Sequence, residues 1–316
     1  MKLKSKPKIA ISIGDLNGVG IEIALKTHEK ISTFCKPIYC INKPMLKKAS
    51  KLLDIDIPKD FKTHAIKGNF EINPGKVSKK SGKYSYDSFY EAINLAYKKE
   101  VSSIVTLPVN KESWNNAGIK YKGHTEVLRD FFGENAIMML GCKKMFVSLF
   151  TEHIALKKVP KKIEEQTLTK FLLDFHASVN NDNIAVLGLN PHASDNGVLG
   201  NEEVEIFKAI KNANKKLKKD VFKGPLVPDI AFSPMSRKNY KYFVAMYHDQ
   251  GLAPLKALYF DESINVSLNL PIIRTSVDHG TAFDIAYKKD IKLNTKSYLN
   301  AVKEAVILHE KRKWIL

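Results

Sequence analysis

The sequence predicts an α/β protein folded in two lobes. Strand-like and helix-like segments alternate from end to end, and polar clusters follow directly on apolar runs. At 316 residues the chain is also longer than a single hydrophobic core usually supports. Taken in order, Ile9–Ile13 reads as a first strand and Val19–Glu29 as a helix behind a glycine-rich turn. Asp54–Ser81 is rich in Lys, Pro and Gly and is expected to be a mobile loop. Tyr84–Lys99 carries Phe89, Ala92, Ile93 and Ala96 at helical spacing, and Ser103–Leu107 is a strand. Thr125–Phe132 is a short helix, and Ala136–Leu140 with Met145–Phe150 reads as a hairpin. Ile163–Val179 is an amphipathic helix leading into a strand at Ile184–Leu189. Asn201–Leu217 is helical, Tyr242–Met246 is a buried strand, and Tyr298–Glu310 is a helix with Val302, Ala305, Val306 and Leu308 along it.

The net charge of +18 raises a nucleic-acid or membrane reading. Its distribution argues against both. Only Arg129, Arg237, Arg274 and Arg312 are arginines, and the lysines are scattered over nearly every segment with no aromatic interleaving. A generally positive field still favours anionic substrates. The three cysteines, Cys35, Cys40 and Cys142, are odd in number and lack metal-knuckle spacing, which suits reduced thiols in the cytoplasm. The apolar run Ile9–Ile13 is too short for a signal core or a membrane span.

Chemistry-bearing residues gather at strand ends. His153 follows Phe146–Phe150, His192 follows Ile184–Leu189, and His248 follows Tyr242–Met246. Open α/β sheets place ligands at the C-terminal ends of their strands, and three imidazoles there make a metal-site expectation. His248 opens a short, glycine-broken segment that also holds Asp249 and Lys256. The turn Gly14-Asp-Leu-Asn-Gly-Val-Gly20 suits either a structural role or an anion at a helix start, and its spacing fits neither a Rossmann fingerprint nor a P-loop. At Gly123-His124-Thr125-Glu126 the competing readings are a helix cap on Thr125 and an anion clamp. Arg274 has a fork suited to carboxylate or phosphate, and Gly280-Thr281 is expected to start a helix at a nucleotide site.

Six stretches together resemble the 4-hydroxythreonine-4-phosphate dehydrogenase family, known as PdxA. They are Gly14–Gly20, Thr106-Leu-Pro-Val-Asn-Lys111, Gly123–Glu126, Gly188-Leu-Asn-Pro-His-Ala193, Tyr247-His-Asp-Gln-Gly251 and Arg274-Thr-Ser-Val-Asp-His-Gly-Thr-Ala282. The last also resembles the nucleotide loop of the isocitrate and isopropylmalate dehydrogenases. The resemblance implies two α/β/α lobes of that dehydrogenase type with the active site in the cleft between them, and a homodimer. Expected bounds are 1–122 plus 262–316 for the nucleotide lobe and 123–261 for the metal and dimer lobe.

The implied reaction is oxidation at C3 of 4-phosphooxy-L-threonine by NAD or NADP, with loss of CO₂ to give 3-amino-2-oxopropyl phosphate for vitamin B6 synthesis. A divalent ion (Zn, Mg, Co or Mn) is implied on His153, His192 and His248, with a histidine of one subunit able to complete its partner's site. Substrate contacts map to His124, Thr125, Lys256, Asn265 and Arg274, and nucleotide contacts to Asp278, His279, Gly280 and Thr281. Three neutral imidazoles leave open coordination positions for such chemistry. Lys256 is a candidate proton shuttle, and Asp249 a candidate base or partner of a ligand histidine. Two departures from the family pattern stand out: Leu16 and Ile21 replace prolines, and Ser194-Asp-Asn-Gly197 replaces Gly-Glu-x-Gly. They leave open the same chemistry on a threonate or erythronate phosphate, and, more remotely, a phosphate-binding or acyltransfer protein with structural histidines.

Overall fold

The structure is a computed structural model that describes residues 6–313. It divides into two units, Met1–Glu134 with Leu270–Leu316, and Asn135–Asn269. The first unit opens with β1 (Lys8–Ser12), α1 (Gly20–Ser32), β2 (Lys36–Cys40), α2 (Lys43–Leu53) and β3 (Thr63–His64). It continues through α3 (Lys79–Tyr97), β4 (Ser103–Thr106), α4 (Lys111–Asn116) and α5 (His124–Phe132). The second unit holds β5 (Ile137–Cys142), β6 (Met145–Leu149), α6 (Glu165–Val179), β7 (Ile184–Leu187) and α7 (Glu202–Leu217). After these come β8 (Phe222–Leu226), α8 (Pro234–Asn239), β9 (Tyr242–Ala245), α9 (His248–Tyr259) and β10 (Ile264–Leu268). The chain returns to the first unit with β11 (Arg274–Val277) and α10 (Lys296–Lys313).

In the first unit the strands run in the order β3-β2-β1-β4-β11, all parallel. In the second the order is β10-β5-β6-β9-β7-β8. There β10, β5 and β6 pair antiparallel, and β6, β9, β7 and β8 pair parallel. Strands β4, β6, β7 and β9 are buried at every residue, which is why they read as continuous apolar runs rather than alternating ones. Among the described residues no helix is long and apolar enough to cross a membrane.

The seams fall after Glu134 and Asn269, later than the sequence bounds. Helix α5 joins the first unit because its aromatics meet α3: Phe131 lies edge-on to Tyr90 and Tyr97, at 5.6 and 5.9 Å between centroids. Strand β10 joins the second because Ile264–Leu268 pairs with β5.

Four local expectations need correction. The expected mobile loop is tied down: Asn17 donates from Nδ2 to the Lys76 carbonyl and accepts from Asn73 N at Oδ1, and Gly75 N donates to the Asn17 carbonyl. Its end is helical, since the Ser78 hydroxyl accepts from Ser81 N and caps α3 there. The segment after His248 is a helix despite Gly251 and Pro254. A Cβ on Gly251 would lie 2.4 Å from Val147 Cγ1, so glycine is what lets α9 press onto β6 and β9. No helix starts at Gly280-Thr281; residues 283–287 form turns, and Ala282 and Tyr287 take left-handed backbone (φ 47° and 61°) that interrupts helical propagation.

Candidate active site

Three adjacent parallel strands of the second unit carry the histidines. Register pairs Leu149 with Ala245 and Val186 with Val244, so β6, β9 and β7 end level at one sheet edge. His153, His248 and His192 leave from those ends. At roughly 4.8 Å between neighbouring strands, three exits span about 10 Å. The His153 and His248 rings are together, with centroids 5.5 Å apart. His248 is the first residue of α9, and its Nδ1 meets Asp249 Oδ1 at 2.8 Å. This pairing leaves Nε2 to act as a ligand and makes Asp249 an orienting partner for the ring.

His192 stands in a short turn, Pro191–Asp195, with unusual backbone. Five consecutive residues, His192 to Asn196, have φ of 52°, 50°, 73°, 46° and 57°. Each costs on the order of 1–2 kcal/mol outside glycine, and such strain persists only where surroundings enforce it. Here Glu203 Oε1 accepts from Leu189 N and Asn190 N at 2.8 and 2.7 Å, and the Asn190 amide donates to Glu202 and Glu203. That amide also holds the Glu202 carboxyl below its ordinary range.

The imidazoles and the Asp249 pairing fit a divalent ion in chemistry. Yet among the described residues no group of three His, Cys, Asp or Glu is gathered closely enough to hold one. The chain brings His153 to His248 and leaves His192 on the next exit.

Lys256 lies in the last turn of α9, about 12 Å along the axis from His248 and roughly 80° around it. Its ammonium is 3.5 Å from Ser263 Oγ and 5.2 Å from the Phe260 ring centroid. That places it at the foot of β10, where Asn265 is paired opposite Leu140.

The first unit holds the other substrate candidates. Arg274, on β11, is 2% exposed and donates from Nε and Nη2 to Thr106 Oγ1 at 3.2 and 2.8 Å. Burial pushes its guanidinium pKa down to about 9. His124 is the first residue of α5, with Phe89 and Trp114 edge-on at 4.5 and 5.7 Å. Its Nε2 is shut off from solvent without a hydrogen-bond partner in the protein. Burial, and then the charge of Arg274, holds this imidazole neutral, well below the ordinary histidine range. A buried guanidinium beside a half-buried imidazole whose shielded Nε2 is unsatisfied is a setting that an anion would complete. Thr125 does not cap α5; Gly123 occupies that position, and Lys122 N is satisfied by Glu126 Oε2.

The glycine turn resolves toward structure. Asp15 and Asn17 are fully buried, and Val19 N donates to the Thr281 carbonyl rather than pointing at solvent. Burial raises the Asp15 pKa, opposed in part by its bond from Ser81. A Cβ on Gly18 would sit 2.7 Å from Thr281 O, so the turn is the seat of the expected nucleotide loop. In that loop Asp278 N donates to Ser297 Oγ, and His279 Nδ1 donates to the Gly280 carbonyl. A Cβ on Gly280 would meet nothing within 4 Å, which leaves backbone that a nucleotide can approach.

Thr106, Thr151, Gln250 and Glu203 had no assigned role in the sequence reading. Thr106 and Gln250 lie inside the matching stretches, and position at a strand end was their available signal.

Fold and site define a class: two-unit α/β proteins with imidazoles at strand ends and a buried guanidinium suited to an anionic ligand. The particular family follows from comparison. The family model described as "Pyridoxal phosphate biosynthetic protein PdxA" matches residues 33–305, and the chain belongs to that family. A 4-hydroxythreonine-4-phosphate dehydrogenase of Sulfurimonas denitrificans is 63% identical over 307 residues, covering 97% of this chain and 99% of the relative. One from Campylobacter fetus is 59% identical over 305 residues, covering 96% and 99%. A crystal structure of the Burkholderia phymatum enzyme of the same name superposes with a TM-score of 0.80 at 31% identity, covering 96% and 99%.

Proposed function

We propose that this chain oxidises 4-phosphooxy-L-threonine at C3 with NAD or NADP and releases CO₂ to give 3-amino-2-oxopropyl phosphate, a step toward pyridoxal phosphate. The observation that carries this reading is end-to-end likeness to relatives bearing that enzyme's name. When bound, a divalent ion held by the histidines would supply Lewis acidity and a nicotinamide would supply the hydride acceptor. His153, His192 and His248 hold the ion, with Asp249 fixing the His248 ring. Arg274 and His124 receive an anionic group of the substrate in a dry setting, where charge-assisted bonds are strong. Thr125 adds a hydroxyl donor at the start of α5, and Lys256 and Asn265 bind the remaining polar groups. The loop Asp278–Thr281 carries the nucleotide.

The reading includes a cytoplasmic homodimer in which a histidine from a second copy completes the ion's ligands. It is supported by apolar side chains exposed beside the ligand histidines: Ile154 and Leu156 follow His153, and Val198 and Leu199 follow His192. Exposed apolar residues so grouped suit a partner surface.

The test is NADH formation on a panel of phosphorylated four-carbon acids with metal-replete protein. The reading expects 4-phosphooxy-L-threonine to have the highest kcat/KM. A higher value on a threonate or erythronate phosphate would assign the chain to a sister activity.

A further inference from the structure

Two side chains clip together the three strand exits that bear the histidines, and both act on the peptide groups of one residue, Met246. On one side Thr151 donates to the Met246 carbonyl from Oγ1 at 2.6 Å and from N at 3.2 Å, closing the β6 exit directly onto the β9 exit. On the other side β9 pairs directly with β7 as far as Val244 and Val186, and beyond that rung a side chain takes over. The Gln250 carboxamide is inserted between them: its Oε1 accepts from Met246 N at 2.7 Å, and its Nε2 donates to the Gly188 carbonyl at 2.7 Å. Gly188 N is meanwhile taken by the Leu226 carbonyl, which anchors the far side of that exit. Met246 is fully buried and Thr151 is 7% exposed, so solvent does not compete freely for these bonds.

The asymmetry has a geometric consequence. A direct peptide rung holds neighbouring strands about 4.8 Å apart, and an inserted amide holds them further apart. The β6 and β9 exits are therefore closed by peptide groups, and the β9 and β7 exits by the Gln250 side chain. On the side closed by peptide groups the His153 and His248 rings are 5.5 Å apart by centroids. His248 lies two residues after Met246, and His192 four after Gly188. Little chain separates each clip from the ring it steers.

We propose that Gln250 is a positioning residue that sets the separation of His248 from His192, and that Thr151 does the same for His153 and His248. The inference rests on the metal reading above and concerns residues that touch neither ion nor substrate. Groups that orient ligands from behind typically change metal affinity by about 10- to 100-fold when removed.

The experiment measures Co(II) and Zn(II) affinity of the full-length protein by competition with a chromophoric chelator, with the Co(II) absorption spectrum as a second readout. Gln250→Met keeps length and loses both bonds. Gln250→Asn stays polar but is one methylene too short to span them, which covers failure of the first variant to fold. Thr151→Val loses the hydroxyl, and Thr151→Ser keeps it. The expectation is affinity weakened about 10- to 100-fold and a shifted Co(II) spectrum in Gln250→Met, Gln250→Asn and Thr151→Val. Thr151→Ser should restore both; loss of the buried bonds lowers the metal-free melting temperature by itself, so affinities are compared among variants that still unfold cooperatively. Wild-type affinity and spectrum in folded Gln250 variants would overturn the inference alone. Absence of metal binding in the unsubstituted chain would overturn the metal reading and this inference with it.

Discussion

Replacing Arg274 by Met removes a guanidinium whose charge is disfavoured by burial in the folded protein. Burial pushes its pKa down from the ordinary arginine range to about 9. At about 1.4 kcal/mol for each tenfold change in the proton equilibrium, burial costs the charged form on the order of several kcal/mol. Against this, Arg274→Met loses the guanidinium's hydrogen bonds, among them two to Thr106 Oγ1, each worth roughly 1.5–3 kcal/mol, and packs slightly worse. The two terms are of similar size, so the variant without ligand is expected to lie within about 2 kcal/mol of wild type at pH 7, with a melting temperature changed by no more than several degrees. The sign with pH follows from linkage. From about pH 9 up to the ordinary arginine range the unfolded chain binds the proton and the folded one releases it, so wild-type stability rises there and the gap to the variant narrows. The assay is thermal and urea unfolding with and without inorganic phosphate. Wild type should gain about 2.7 kcal/mol at phosphate a hundredfold above its Kd, and Arg274→Met should gain nothing. A variant destabilised by several kcal/mol, with its phosphate gain intact, would refute an anion site at Arg274.

Other expectations follow from the same physics. Because the His124 imidazole is held neutral well below its ordinary range, its contribution is intact above about pH 6.5 and is lost as pH falls, by up to about 1.4 kcal/mol per unit. His124→Gln should flatten that slope in urea titrations at pH 7.5, 6.5 and 5.5, and parallel profiles would contradict the assignment. Gly18→Ala forces a Cβ toward the Thr281 carbonyl, so it should cost about 1–3 kcal/mol and weaken NAD binding while leaving the phosphate gain unchanged. Calorimetric NAD titration reads the second effect. Leu199→Lys places a charge on an exposed apolar position beside the His192 turn and should shift sedimentation toward monomer; an unchanged distribution would remove that surface from the dimer reading.

Much of this site is visible in sequence because strand ends are. His153, His192 and His248 each follow an apolar run, and that pattern alone marks one edge of a parallel sheet. What lies across the chain is not visible. The cage on His124 comes from Phe89 and Trp114, and the unsatisfied state of Nε2 exists only once they close. Helix α9 hides behind Gly251 and Pro254, poor helix formers by propensity, because the close approach to Val147 that requires glycine is a tertiary fact. The seam after Asn269 depends on β10 pairing with a strand over 120 residues earlier, which local periodicity cannot register. The left-handed run after His192 is equally silent, since none of its first five residues is glycine.

The most direct test is to follow NADH and CO₂ together from 4-phosphooxy-L-threonine, before and after chelation and after metal is restored. The account predicts one CO₂ for each NADH, loss of both on chelation and in His192→Ala, and recovery on adding the ion back to the unsubstituted chain. NADH formation that persists without metal, or no NADH from the metal-replete protein, would contradict it.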